Sequence, residues 1–410
     1  MRRKREVVCT DVKNAPGFIS LSPPLNFSCH FDSGNLDTVT RVNNNEYSLT
    51  IRPDTGNRRQ KLWFYFQVFG AERNQTVLFH VKGFCKTRSL YRHGMSPVVR
   101  SSTYLEWRRL PAPYVFYYHY NDENTMSFLF KFADPADSYF FAYTFPFSYT
   151  QLQRSLFHIE QQDYPFVTRT LLCRTVFNRR VDLIRIDNFC KAFQPPVFVF
   201  SARVHPGETP SSFIMHGLLK FLLSNHPRAQ YIRNNSIVFL VPMLNPDGVF
   251  LGNYRSDSYG QDLNRCWNDA SETLCPTISA MKKFLLELDN DPGLSLRLFV
   301  DIHAHSTVFN SFVYGNSTGS RPSEYALMFP RLLSRYALDF SSANSKYVND
   351  ANKMGTGRYV MGQELQSNCY TLEVSFFGMR EANRIEPYTP ATYQRLGTSV
   401  GMALADLVEF

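Results

Sequence analysis

The chain has 410 residues, too many for one ordinary hydrophobic core, so two domains are expected. Its 44% hydrophobic and 15% aromatic content excludes a disordered chain, and no stretch reaches the ~18–20 apolar residues of a membrane span. The net charge of +9 suits an acidic partner, yet it gathers into no basic tract beyond the opening MRRKRE, so nucleic acid is the weaker reading and an acidic protein the stronger one.

No apolar segment follows the basic start, so a secretory signal is not expected. Eight cysteines are scattered without CxxC spacing, the pattern of reduced cytosolic thiols. Without a secretory route the N-x-S/T sequons, including the one at Asn316, are read as chance.

Residues 1–148 read as β-rich. EYSLTIRP (46–53), KLWFYFQVFG (61–70), TVLFHVKGF (76–84), YVFYYHY (114–120), MSFLFKF (126–132) and YFFAYTF (139–145) recur between turn-forming residues. That spacing predicts an antiparallel β-sandwich. The texture changes at 149. TQLQRSLFHIEQQ (150–162) has helical periodicity, and from there helical patterns alternate with the buried runs LLCRTVF, VDLIRI, PVFVFSA, SIVFLVPM, LRLFVDIH and CYTLEVSF. The alternation predicts an α/β domain over 149–410, with a mixed central sheet flanked by helices and a capped C-terminal helix.

Within that second domain, RVHPGETPSS (203–212) follows the apolar run PPVFVFSA. His205 and Glu208 leave the strand end through a Pro-Gly turn, where both side chains can converge on a metal ion. A catalytic zinc site takes three N or O ligands and keeps one position open. FVDIHAHS (299–306) offers the third, since His303 and His305 share one strand face. His303, directly after the apolar run, is the expected ligand, and His305 is expected to be structural or to support the ligands from behind. Taken alone, His205 reads equally well as a satisfied buried histidine.

Other segments add to the cluster. In DLNR (262–265), Asp262 can orient a ligating imidazole through its other ring nitrogen, and Asn264 with Arg265 can hold a carboxylate. Arg255 follows the turn signal NPDG (245–248). YTLEVSF (370–376) buries Glu373 in an apolar strand, where a carboxylate needs a partner or a job. Ion pairing is the plain alternative for Arg255, Arg265 and Glu373.

Together VHPGETPSS, MLNPDGV, GNYR, DLNR, DIHAHS, GTGR and YTLE resemble the signatures of the cytosolic carboxypeptidase subfamily of zinc metallocarboxypeptidases. The likeness extends to LWFYFQV, KTRSLYRHGMSPVVRS and FAYTFPFSYT in the first domain. In compactness the chain looks most like a short member of that subfamily, a protein deglutamylase.

The resemblance implies a zinc carboxypeptidase domain preceded by the β-sandwich, with one Zn2+ per chain held by His205, Glu208 and His303. It implies Glu373 as general base, Arg255 as oxyanion stabiliser, and Asn264 with Arg265 as the grip on the substrate's C-terminal carboxylate. Counting back about fifteen residues from Glu373 to the family's specificity position reaches Arg358, which would read an acidic terminal side chain, with Lys353 and Arg380 as the next candidates. The capping tyrosine of secreted relatives has no counterpart at the counted position, Ala351; Tyr347 and Tyr359 are nearby. The implied substrates are glutamylated protein tails such as those of tubulin, met in the cytosol at microtubule structures such as centrioles and cilia. A monomer with no membrane or nucleic-acid partner is expected. Two rival readings are a same-fold zinc amidohydrolase on small N-acyl amino acids and a non-catalytic tubulin-binding module.

Overall fold

In TVLFHVK, Val77, Phe79 and Val81 are buried while the residues between them are not, and this period of two makes Thr76–Lys82 a half-buried strand. The computed structural model describes residues 9–11, 24–188, 193–317, 322–347, 353–382 and 384–409. The chain divides into two compact units, residues 1–148 with 249–254, and residues 149–248 with 255–410.

The first unit is a sandwich of two sheets. The six-stranded sheet runs Cys9–Asp11, Thr38–Asn43, Glu46–Thr50, Thr76–Lys82, Glu123–Lys131, Val115–Tyr120. The five-stranded sheet runs Asn26–Ser28, Tyr65–Phe69, Tyr139–Ala142, Val98–Ser101, Arg108–Arg109. Aromatic rings join the inner faces: Phe141 lies 5.6 Å from Phe66, 5.7 Å from Phe79 and 5.5 Å from Phe128. The five-stranded sheet is antiparallel throughout, as the pattern predicts. The six-stranded sheet is not, because Cys9–Asp11 pairs in parallel with Thr38–Asn43, and Glu46–Thr50 does so with Thr76–Lys82. A parallel pair needs a crossover, and for the second pair strand 65–69 supplies it by running through the other sheet.

Residues 249–254 belong to this first unit although they lie far along the chain. Asn35 Nδ2 donates to Gly252 O at 2.8 Å, and Tyr254 N donates to Asp54 Oδ1 at 2.6 Å. NPDG, expected as a turn, opens the short helix Pro246–Leu251 instead. Asn245 Oδ1 accepts from Gly248 N at 3.0 Å, and proline suits a first helical position because the hydrogen it lacks would have no partner there.

The second unit is built on an eight-stranded mixed sheet in the order Val167–Arg174, Arg180–Ile186, Ile237–Val241, Pro196–Ala202, Ser295–His305, Asn368–Ser375, Ser311–Gly315, Lys346–Tyr347. Its four central strands, 237–241, 196–202, 295–305 and 368–375, are parallel. They are buried on both faces, which is why they read as continuous apolar runs rather than as alternations. Among the described residues no helix is long and apolar enough to cross a membrane.

Strand 196–202 feeds the helix Thr209–Leu223, which packs on the C-terminal helix Pro390–Val408. The helices approach at Gly217 and Gly397. A Cβ on Gly217 would meet the backbone of Gln394, and one on Gly397 would meet the backbone of Ile214 and Leu218. Backbone cannot yield as a side chain can, so Gly397→Ala is expected to lose about 1–3 kcal/mol of stability through overpacking. Thermal unfolding would show this as a lowered midpoint, and an unchanged midpoint would mean that the crossing is looser than described.

Candidate metal and catalytic site

The functional side chains gather at the C-terminal ends of the parallel strands, where open α/β sheets carry their ligand sites. Strand 196–202 ends in a turn set by Arg203, a residue the sequence reading passed over. Arg203 has φ of 59°, in the left-handed region that non-glycine residues seldom occupy. Its side chain holds the turn closed. Nε donates to Pro206 O at 3.1 Å and NH1 donates to Ser212 Oγ at 2.9 Å. The turn thereby presents His205 and Glu208 toward strand 295–305.

His205, Glu208 and His303 are all buried, with donor atoms within 4.8 Å of one another. His205 Nδ1 lies 2.8 Å from Glu208 Oε1, and His303 Nδ1 lies 3.1 Å from Glu208 Oε2. The two imidazole centroids are 4.9 Å apart. Burial pushes the Glu208 carboxyl up, but His205 and His303 outweigh it and hold the group well below the usual carboxylate range.

The outer ring nitrogens both face carboxylates. His205 Nε2 lies 3.1 Å from Asp262 Oδ1, and His303 Nε2 lies 2.6 Å from Asp301 Oδ2. Asp301 in turn accepts from Ser201 Oγ at 2.7 Å. The sequence reading missed Asp301, although it precedes His303 by two residues on the same strand face, a usable signal. Such carboxylate–histidine pairs fix the tautomer so that Nδ1 is offered to the metal. Two imidazole nitrogens and a carboxylate form a three-ligand zinc set, and the residues present fit that ion.

Glu373 pairs in register with His303 on the adjacent parallel strand. It is half-buried overall, and its Oε2 is fully enclosed with no hydrogen-bond partner among the described residues. Burial pushes its carboxyl up, only partly opposed by His303 and His305. A buried carboxylate oxygen left this way is costly in a purely structural residue and suits one that receives a proton. His305 is engaged by its own loop. Its Nδ1 accepts from Val308 N at 3.1 Å, and its ring lies 5.6 Å from Phe312.

Arg255 is fixed on Asp262. Its Nε and NH2 donate to Asp262 Oδ2 at 2.8 and 2.7 Å. Burial raises the Asp262 carboxyl, but His205, Arg255 and Arg265 together bring it well below the usual range. Asn264 is buried, with Oδ1 accepting from Gly357 N at 2.9 Å, while Arg265 is partly exposed and donates from NH1 to Asn264 O at 2.7 Å. Close packing joins this segment to the GTGR loop. A Cβ on Gly355 would meet the Arg265 backbone, and one on Gly357 would meet the Trp267 ring.

Arg358 is therefore carried to the site by that loop, on the first turn of the helix Gly357–Glu364. It is buried, and its NH1 donates to Gly315 O at 2.8 Å and to Asn316 Oδ1. Burial first and Glu373 second push the Tyr314 hydroxyl up, Arg358 pulls it down, and the net position is about 12, so both charged groups act on one hydroxyl. Arg380 instead lies over the Phe309 ring, 4.2 Å from its centroid, and Lys353 is half-buried. Ala351 lies outside the described residues.

The zinc carboxypeptidase family profile matches residues 155–390, and the cytosolic carboxypeptidase N-terminal domain profile matches residues 27–144. The chain belongs to the zinc carboxypeptidase family and, within it, to the cytosolic carboxypeptidases. It is 42% identical over 391 residues to Cytosolic carboxypeptidase 6 of Homo sapiens, covering 93% of this chain and 78% of that protein. To Cytosolic carboxypeptidase 6 of Caenorhabditis elegans it is 43% identical over 400 residues, covering 93% and 87%. In fold it is similar to a metallo-carboxypeptidase of Burkholderia cenocepacia, with a TM-score of 0.80 at 21% identity over 94% of this chain and 99% of that one. It is a zinc-dependent carboxypeptidase, a peptide-bond hydrolase, and the rival amidohydrolase and non-catalytic readings give way to that assignment.

Proposed function

We propose that this carboxypeptidase removes glutamates from the C-terminal ends of polyglutamate chains on proteins such as tubulin, in the cytosol and at microtubules. The observation that carries the substrate class is Arg358, a buried guanidinium on the helix whose start packs on Asn264 and Arg265. A buried cation next to the segment that holds the substrate's end favours an acidic side chain on the residue to be released. The net charge of +9 adds a long-range attraction for acidic tails.

In this reading His205, Glu208 and His303 hold the zinc ion, and Asp262 and Asp301 orient the two imidazoles. The bound ion supplies Lewis acidity that polarises the scissile carbonyl and makes water a better nucleophile near neutral pH. Glu373 takes the proton of the attacking water on its enclosed Oε2 and delivers it to the leaving amine. Arg255, held by Asp262, places positive charge where the carbonyl oxygen becomes negative. Asn264 and Arg265 bind the terminal carboxylate by charge-assisted hydrogen bonds, which restricts cleavage to the chain end.

Incubation of the purified protein with a peptide bearing a glutamate chain is expected to give a mass-spectrometric ladder of products, each one glutamate shorter. An intact glutamate peptide, alongside cleavage of a peptide with an apolar end, would refute the substrate class. The metal assignment has its own check. His205→Ala is expected to lower zinc, measured by plasma mass spectrometry, from about one ion per chain to a small fraction of that. Full occupancy in that variant would remove His205 from the ligand set.

A further inference from the structure

We infer that Asn316 is the positioning residue for acidic-substrate specificity: it fixes the Arg358 guanidinium toward the terminal side chain. This inference rests on the reading of Arg358 given above. Asn316 follows the strand Ser311–Gly315, and its amide meets Arg358 twice. Oδ1 accepts from Arg358 NH1, and Nδ2 donates to Arg358 O at 2.9 Å. One amide therefore grips both the side chain and the backbone of a single residue. Gly315 O, accepting from the same NH1 at 2.8 Å, adds a second acceptor from the same strand end.

The surroundings are shaped for that amide. A Cβ on Gly362, one turn along the helix from Arg358, would fall inside the Asn316 amide group. Gly315 likewise has no room for a Cβ, which would meet the Tyr347 ring at 2.6 Å. The strand end and the helix start are thus held at hydrogen-bonding distance, and the arginine has its NH1 edge fixed. An arginine carries large rotamer freedom, and a flexible one would lose that freedom on each binding event. A pre-fixed one does not. The Asn316 amide nitrogen that a sequon would present for glycosylation is engaged inside the protein.

The diagnostic substitution is Asn316→Asp. It keeps the size and the acceptor for NH1, removes the donor to Arg358 O, and sets a negative charge against the guanidinium. The readout is kcat/KM on two peptides that differ only in a C-terminal Glu or its neutral counterpart Gln, with zinc content and thermal midpoint as controls. Asn316→Asp is expected to reduce Glu-over-Gln discrimination by about tenfold or more, mainly through KM. Arg358→Leu should reduce it at least as far, and the double variant no further than Arg358→Leu alone. Asn316→Ser, too short to reach NH1, replaces the aspartate variant if that fails to fold, with the same loss expected. Discrimination retained in the Asn316 variants but lost in Arg358→Leu overturns the role of Asn316 and leaves the substrate reading standing. An additional loss in the double variant also overturns it, since Asn316 would then act apart from Arg358. Discrimination retained in Arg358→Leu removes Arg358 as the reader of the terminal side chain, and this inference with it.

Discussion

Glu373→Gln is expected to retain zinc and bind substrate while losing about 10²–10⁴-fold in kcat, the usual contribution of a positioned acid–base group. The substitution preserves shape and removes only the ability to take and return a proton. Glu373 is suited to that exchange because its Oε2 is enclosed without a hydrogen-bond partner among the described residues. An amide placed there is neutral in an environment that already disfavours the charged carboxylate, so the fold should not suffer. The thermal midpoint should therefore stay at or above that of the parent chain. Single-turnover kinetics, zinc content and peptide binding would separate the effects. Turnover within tenfold of the parent would move the base role to another group.

The reach of the sequence differs from element to element for physical reasons. His205 and Glu208 are legible because a three-residue spacing at a Pro-Gly turn is local and has little use in packing. Glu373 is legible because a carboxylate inside YTLEVSF breaks an apolar run. Arg203 was not legible, since nothing in an RVHP string reveals a left-handed backbone or a guanidinium folded back on Pro206 O. Asp301 lay in view but was overshadowed by the histidine two residues on. The NPDG helix shows the limit of turn signals, because proline and asparagine serve a helix start as well as a turn.

The parallel pairing inside the sandwich was beyond reach for another reason. Alternation assigns a residue to a face, and says nothing about the direction of the neighbouring strand. The assignment of 249–254 to the first unit depends on hydrogen bonds between residues some two hundred positions apart, such as Asn35 to Gly252. No local pattern encodes those. Asn316 belongs with them. As a sequence feature it is a chance sequon, and only the fold shows what its amide does.

Arg358→Ile is expected to cut kcat/KM for peptides ending in glutamate while leaving zinc content unchanged. Removing one partner of a buried charge pair typically costs ~2–5 kcal/mol, because the other charge is left without compensation. That corresponds to roughly 30-fold or more in kcat/KM. A lost methylene contact is worth only about 1–3 kcal/mol, so an effect at the upper end would itself identify the contact as ionic. Zinc should be unaffected, since the ligands lie in the 203–208 turn and on strand 295–305, while Arg358 sits on helix 357–364. The isoleucine leaves Gly315 O and Asn316 Oδ1 without the NH1 they accept, so a modest loss of stability should accompany the change. Peptides ending in leucine are expected to gain, because the pocket no longer holds a buried cation that an apolar side chain would leave unpaired. Paired kinetics on peptides ending in Glu and in Leu measure both effects at once. An unchanged preference for Glu would show that another cation reads the side chain. Lys353 would then be the first to replace, ahead of Arg380, whose guanidinium is already stacked on Phe309.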